Sequence, residues 1–230
     1  MPRIAAVIVA GGSGDRFGAA GGKQLAVLAG RPILAWTVEA FGCVDAVDEL
    51  VVVCHPERVA EYRSEAVAPL GIAKSVRVVA GGGTRQESVA AGMAAVSPEV
   101  SIVLVHDGAR PLITTETIEA ALRALDQTGA DGIVVGHPSV DTLKLVDGDK
   151  ITATPDRAAY WAVQTPQVFR AQPLRDAHAA AQRGGFIGTD DASLVERVGG
   201  DVRVVEGPRD NIKVTLPEDL AFAEAVLRHR

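Results

Sequence analysis

A chain of 230 residues with 23 basic and 29 acidic side chains carries a formal net charge of −6. Apolar residues make up 47% of it and aromatic ones only 4%. The core is therefore aliphatic, and with no basic tract and few stacking aromatics nucleic-acid binding is not expected.

Charge or glycine breaks every apolar stretch within about ten residues, so no membrane span is expected. Met1-Pro2-Arg3 leads into a strand-like run without a signal-peptide cleavage pattern. Cys43 and Cys54 have no metal spacing and read as buried filler in a reduced, cytoplasmic setting.

Strand and helix signals then alternate. Ile4–Val9 is a continuous apolar run, hence a buried strand. Pro32–Gly42 reads as a helix opened by proline and closed by glycine. Glu49–Cys54 is a second strand, Pro56–Ala68 a polar-faced helix and Val76–Val79 a short strand. In the helix Thr84–Val96, Thr84 and Glu87 have capping-box spacing. Ser101–Val105 is a buried strand, Thr114–Gln127 a helix with Glu116 in its first turn, and Gly132–Val135 a fifth strand. This order predicts an α/β fold: one domain over residues 1–230, with a mostly parallel twisted sheet and helices on both faces.

After Gly136 the rhythm changes. Thr142–Val146 and Lys150–Thr154 alternate around Asp147-Gly148-Asp149, a hairpin signal within residues 137–157. A two-stranded arm is marginal alone. It is expected to pack on a second subunit or to fold back on its own domain. Arg170–Arg183, Asp190–Val198 and Pro217–Arg228 then read as helices, and Val202–Val205 as a strand.

The first strand runs into Ala10-Gly11-Gly12-Ser13-Gly14-Asp15-Arg16, with Lys23 following. Glycines allow close backbone approach to an anion, and Arg16 and Lys23 supply charge for a triphosphate. A dinucleotide fingerprint is ruled out, because its third glycine falls on Phe17. A Walker A loop is ruled out by Phe17 and by Gln24 after Lys23.

His106-Asp107-Gly108-Ala109-Arg110-Pro111 closes a buried strand, where open α/β sheets bind ligands. Asp107 can hold Mg²⁺ or cap the turn, and Arg110 can hold a phosphate. His106 reads as a loop support rather than a base. Gly81-Gly82-Gly83 before the capped helix bearing Ser88 could read a nucleobase edge or form a plain turn. Asp190 and Asp191 read as a helix start.

In order and spacing, these pieces resemble the 2-C-methyl-D-erythritol 4-phosphate cytidylyltransferase family. They are joined by Asp141-Thr142 with Lys144, Arg157, Gln164-Thr165-Pro166-Gln167, Thr189-Asp190-Asp191-Ala192-Ser193 and Asp210-Asn211-Ile212-Lys213-Val214-Thr215. The resemblance covers essentially the whole chain. It implies a Rossmann-like nucleotidyltransferase fold and a homodimer joined by hairpin arms.

The resemblance also implies roles. Arg16, Lys23 and Lys213 would stabilise the reacting phosphates of CTP and the acceptor. Ala10, Gly11, Gly12, Gly82, Gly83 and Ser88 would contact the nucleotide. Asp107 would serve both the ribose region and Mg²⁺. Arg110, Thr165 and Thr189 would line the methylerythritol phosphate pocket, with Thr142 and Arg157 reaching in from the partner's arm. Two stretches depart from the family's usual pattern: Val9-Ala10-Gly11-Gly12 replaces Pro-Ala-Ala-Gly, and Gly22 replaces the proline before Lys23. Cytidylyltransferases for other polyol phosphates, such as ribitol 5-phosphate, share many of these motifs. A non-catalytic nucleotide-binding module on the same fold is the alternative from another class.

Overall fold

The computed structural model describes residues 2–12, 17 and 22–230. Its elements in chain order are β1 (Arg3–Val9), β2 (Val27–Leu28), β3 (Arg31–Pro32), α1 (Ile33–Gly42), β4 (Glu49–Cys54), α2 (Val59–Tyr62), β5 (Ser75–Ala80), α3 (Arg85–Ala95) and β6 (Val100–Asp107). There follow α4 (Thr115–Thr128), β7 (Gly132–Pro138), β8 (Leu145–Asp147), β9 (Lys150–Ala153), β10 (Trp161–Arg170), α5 (Ala171–Arg183), α6 (Asp191–Arg197), β11 (Val202–Glu206) and α7 (Asp219–His229).

Seven strands form the main sheet in the order β11-β7-β10-β6-β1-β4-β5. Only β10 runs antiparallel to its neighbours, β6 and β7. The chain leaves β1 toward β4 and β5, then returns to lay β6 on the other side of β1. That reversal opens a crevice beyond the carboxyl ends of β1 and β6, the usual ligand position in such sheets.

Alternation along β1 shows why both faces are covered. Ile4, Ala6 and Ile8 join a core with Leu34, Val38 and Phe41 of α1 and Ile118, Ala121 and Leu125 of α4. Ala5 and Val7 point the other way, into a core with Val89 and Met93 of α3, Leu174 and Ala177 of α5 and Leu194 of α6. The continuous apolar run is thus two half-runs of period two. At Gly92 of α3 an added Cβ would collide with Val7 and Val53, so glycine sets how closely α3 packs on β1 and β4.

Most elements lie where the sequence places them, and the capping box of Thr84 and Glu87 is formed. The stretch expected as one helix over Pro56–Ala68 winds unevenly instead. Only Val59–Tyr62 is α-helical, and a wider turn over Arg63–Val67 brings Ala66 and Val67 against the first core. Strand β10 has no counterpart in the periodicity, because Pro166 argues against a central strand. A register shift between Val163 and Gln167 takes Pro166 out of the ladder, so its missing N–H costs no pairing. Cys54 is buried as expected. Cys43 is exposed, against expectation, because it caps the solvent end of α1.

The hairpin β8–β9 forms at the expected Asp-Gly turn. It grows from the paired ends of β7 and β10, where Pro138 faces Trp161. Every residue of β8 and β9 is exposed, including Leu145, Val146 and Ile151. Among the described residues, no helix is long and apolar enough to cross a membrane.

Candidate active site

The crevice is a cavity of about 790 Å³. Its walls come from four turns at the same sheet edge, one of them His55-Pro56 after β4. Gly11 and Gly12 follow β1, Gly81–Arg85 joins β5 to α3, and Asp107 and Ala109 follow β6. Lys23, Gln24 and Phe17 close one side, and Lys213 and Thr215 arrive from the segment before α7.

Local bonding explains each placement. Ala10 lies beneath the wall with both backbone groups used: its N–H donates to Val53 O at 2.7 Å, and its carbonyl accepts from the Tyr62 hydroxyl at 3.3 Å. Gly108 N–H donates to Val9 O at 2.8 Å, tying the β1 and β6 turns together. The Ser88 hydroxyl donates to Thr84 O at 2.9 Å and accepts from Gly82 N–H at 3.3 Å, so Ser88 braces the glycine loop from behind. An added Cβ at Gly82 would collide with Glu87, which fixes glycine there. Val214 N–H donates to Ala109 O at 2.8 Å and stitches the Lys213 segment to the β6 turn.

Asp107 is the charge centre. Its carboxylate faces Lys213 Nζ at 3.0 Å, Arg85 Nε at 3.4 Å and Arg110 Nε at 3.6 Å. Burial pushes the carboxyl up, but Lys213, Arg85 and Arg110 together outweigh it and hold it well below the usual carboxylate range. An ionised carboxylate on the wall is a donor that Mg²⁺ accepts, since that ion commonly takes one or two protein carboxylates and completes its shell with phosphates and water. Among the described residues no cluster of three or more His, Cys, Asp or Glu side chains could hold a metal. A single carboxylate on the wall suits an ion that arrives with a phosphate ligand.

His106 is fully buried beside Phe41, with ring centroids 5.0 Å apart. The Thr165 hydroxyl accepts from Asp107 N–H at 3.0 Å and meets His106 Nδ1 at 3.1 Å; His106 Nε2 lies 3.3 Å from Arg110 O. This pattern assigns the neutral tautomer with the proton on Nε2, and burial depresses its pKa to about 3. His106 thus supports the loop. Below its ordinary value of 6.5 the unfolded chain takes up a proton that the folded chain refuses, so the fold loses stability as pH falls from 6.5 toward about 3. The expected result is a smaller stability difference between about pH 7 and about pH 4 in His106→Gln than in the parent, read by urea unfolding.

Of the residues singled out in the sequence, Lys23, Lys213, Gly11, Gly12, Gly82, Gly83, Ser88 and Asp107 line this one cavity. Arg16 lies outside the described residues. Arg110 and Thr165 sit behind the wall around Asp107 and His106, and the Arg110 Nη1 donates to Asn211 O at 2.8 Å. Thr189 is exposed just before Asp190, which caps α6 as expected. Thr142 and Arg157 lie exposed on the arm, where Arg157 Nη1 donates to Val140 O at 2.6 Å. Arg85 was not foreseen as a site residue. The available signal is that a cation in the first turn of a helix opposes the macrodipole and implies an anionic partner.

A family profile described as 2-C-methyl-D-erythritol 4-phosphate cytidylyltransferase matches residues 4–229. The chain belongs to the 2-C-methyl-D-erythritol 4-phosphate cytidylyltransferase family. The protein of that name from Geotalea uraniireducens is 43% identical over 228 residues, covering 98% of this chain and 97% of its own length. That from Prochlorococcus marinus is 45% identical, covering 97% and 98%. Among solved structures, the 4-diphosphocytidyl-2C-methyl-D-erythritol synthase of Anaerococcus prevotii superposes with a TM-score of 0.87 at 30% identity, over 99% of both chains. The cytidylyltransferase of Thermus thermophilus gives 0.80 at 35% identity, over 98% of this chain and 99% of its own. Family membership makes this a nucleotidyltransferase on an α/β fold.

Proposed function

We propose that this cavity joins CTP to 2-C-methyl-D-erythritol 4-phosphate, giving 4-diphosphocytidyl-2-C-methyl-D-erythritol and pyrophosphate for non-mevalonate isoprenoid biosynthesis. The observation that carries the reading is convergence. An acidic protein places Lys23, Lys213 and an ionised Asp107 on one cavity at the switch point of its sheet.

The acceptor's phosphate is already an anionic nucleophile, so no covalent enzyme intermediate is required. One of its oxygens attacks the α-phosphorus in line; the bond to the bridging oxygen of pyrophosphate breaks, and pyrophosphate leaves on the far side. The protein's task is to hold two polyanions together and neutralise the charge of the five-coordinate state. Gly82, Gly83 and the loop braced by Ser88 take the cytidine end. Gly11, Gly12 and Lys23 take the triphosphate, and Arg16 is assigned to the same phosphates by the family resemblance alone. Lys213 lies toward the reacting phosphates. Mg²⁺ held through Asp107 and the triphosphate would neutralise the leaving group.

The acceptor side is assigned to Arg110, Thr165 and Thr189, with Thr142 and Arg157 supplied by the arm of a second subunit in a cytoplasmic homodimer. Val146 and Ile151 face each other across the hairpin and are exposed, as are Leu145 and Tyr160; this supports the arrangement, because a second subunit packed on the arm would cover them. Val146→Glu with Ile151→Lys is expected to shift the protein to monomers in analytical ultracentrifugation and to lower acceptor use. An unchanged assembly would remove the arm from the interface.

Pyrophosphate release across nucleotides and polyol phosphates, with and without Mg²⁺, tests the assignment. Turnover is expected only with CTP, methylerythritol phosphate and a divalent ion. Faster turnover with ribitol 5-phosphate or UTP, or none with any pair, overturns it.

A further inference from the structure

A chain of charged contacts runs from the cavity wall into the protein. Asp191, buried at the start of α6, is held on two sides. Its Oδ1 meets His178 Nε2 of α5 at 3.0 Å, and its Oδ2 accepts from Arg85 Nη1 at 2.6 Å. The same guanidinium turns its Nε to Asp107 Oδ1 at 3.4 Å. The second oxygen of Asp107 faces Lys213 Nζ at 3.0 Å, with Arg110 Nε farther off at 3.6 Å. Asp191 does not line the cavity, whereas Arg85 and Asp107 do.

The order of these contacts fixes what each can do. Asp191 has both oxygens committed inside the fold and cannot follow a ligand. Arg85 carries donors in a rigid planar fork, so seating one edge on Asp191 sets the direction of the others. Asp107 stands at the end of β6, and its side chain is oriented by the cations around it. Of the three, Lys213 sits on a flexible four-carbon stem and Arg110 is also committed to Asn211 O. Arg85 is the cation referenced to a buried, immobile anion.

We infer that Arg85 is a positioning residue: it anchors Asp107 to Asp191, and so sets where the other Asp107 oxygen presents Lys213 to the reacting phosphates. The inference rests on the cytidylyl transfer proposed above. A misplacement of about 1 Å of a reacting group costs on the order of a hundredfold in rate. Breaking the anchor therefore lowers kcat while leaving the cytidine end of the site intact.

Asp191→Asn separates this role from direct contact between Arg85 and a phosphate, because it keeps the Arg85 charge on the wall and removes only its reference. The expected result is a fall in kcat of about a hundredfold. CTP affinity by calorimetry is expected to stay within about threefold, since the groups at the nucleotide end are untouched. Arg85→Ala is expected to show a similar fall, and the double variant no more than either single one, because both cut the same link. Millimolar guanidinium is expected to restore turnover in Arg85→Ala and to leave the parent unaffected.

Full kcat in folded Asp191→Asn overturns the inference, as do multiplying losses in the double variant. If Asp191→Asn does not fold, Arg85→Ala decides: a folded, CTP-binding protein that guanidinium does not rescue overturns it. A parent enzyme without turnover on CTP and methylerythritol phosphate fails earlier and sinks the functional reading instead.

Discussion

Lys213→Met is expected to lower kcat by about a hundredfold or more, with an almost unchanged midpoint of thermal unfolding. The side chain is 41% exposed and its partner is a single carboxylate at 3.0 Å. Asp107 is buried, but Arg85 and Arg110 still face it when Lys213 is lost, so removing this half-exposed cation leaves stability almost unchanged. The backbone around it is held independently, by Val214 N–H on Ala109 O and by Thr215 N–H on the Asp219 carboxylate at 2.7 Å. Methionine keeps the length of the stem and its apolar contacts, so the change removes a charge and little else. In the proposed transfer that charge would face the oxygens of the five-coordinate phosphoryl group. There one preorganised donor is worth several kcal/mol, about 3 by the usual scale. A calorimetric binding measurement beside the kinetics shows which state loses the interaction. Loss in kcat with CTP affinity retained places Lys213 on the transition state, whereas equal loss in both makes it a plain binding cation. Near-normal turnover removes Lys213 from the mechanism.

What was legible in the sequence follows from how each feature is encoded. Local signals were readable: the apolar run of β1, the Thr84–Glu87 cap and the Asp-Gly turn of the hairpin each depend on a few adjacent residues, and each appears in place. The wall of the cavity was readable because glycines, cations and Asp107 cluster in short motifs at strand ends. Strand β10 was not. Its identity depends on β6 and β7 lying on either side, and its own pattern of Gln164, Thr165, Pro166 and Gln167 opposes a strand. The buried amides find their hydrogen-bond acceptors only across the fold, as when Gln167 donates to Asp190 at 2.6 Å and Asn211 donates to Gln164 at 3.0 Å. The link from Asp191 through Arg85 to Asp107 joins residues 106 and 22 positions apart, beyond any local reading. The resemblance supplied the acceptor residues, and the geometry shows why no pattern would. None of Arg110, Thr142, Arg157, Thr165 and Thr189 lines the cavity among the described residues.

Asp107→Asn is expected to differ from Lys213→Met by costing both activity and stability. Here the deleted charge is the one that three cations share, and its side chain is 9% exposed. Asparagine preserves shape and can still accept a hydrogen bond. It leaves Arg85, Arg110 and Lys213 around a neutral group, however, and the Arg110 Nε is already buried without a hydrogen-bond partner. Removing one partner from a buried ion cluster costs about 3 kcal/mol, because the remaining charges keep their desolvation penalty. The pH dependence gives a second reading. With its carboxyl held below the ordinary 3.8, Asp107 contributes stability that is present above that value and disappears as pH falls through the depressed folded one. Urea unfolding is therefore expected to show the widest gap between parent and variant near neutrality, closing only in strong acid. Turnover is expected to fall by about a hundredfold or more, since both the proposed Mg²⁺ ligand and the partner that places Lys213 are lost together. A variant that loses turnover at unchanged stability would give Asp107 a role toward substrate and metal alone. One that loses stability with kcat intact would make the cluster a structural clamp.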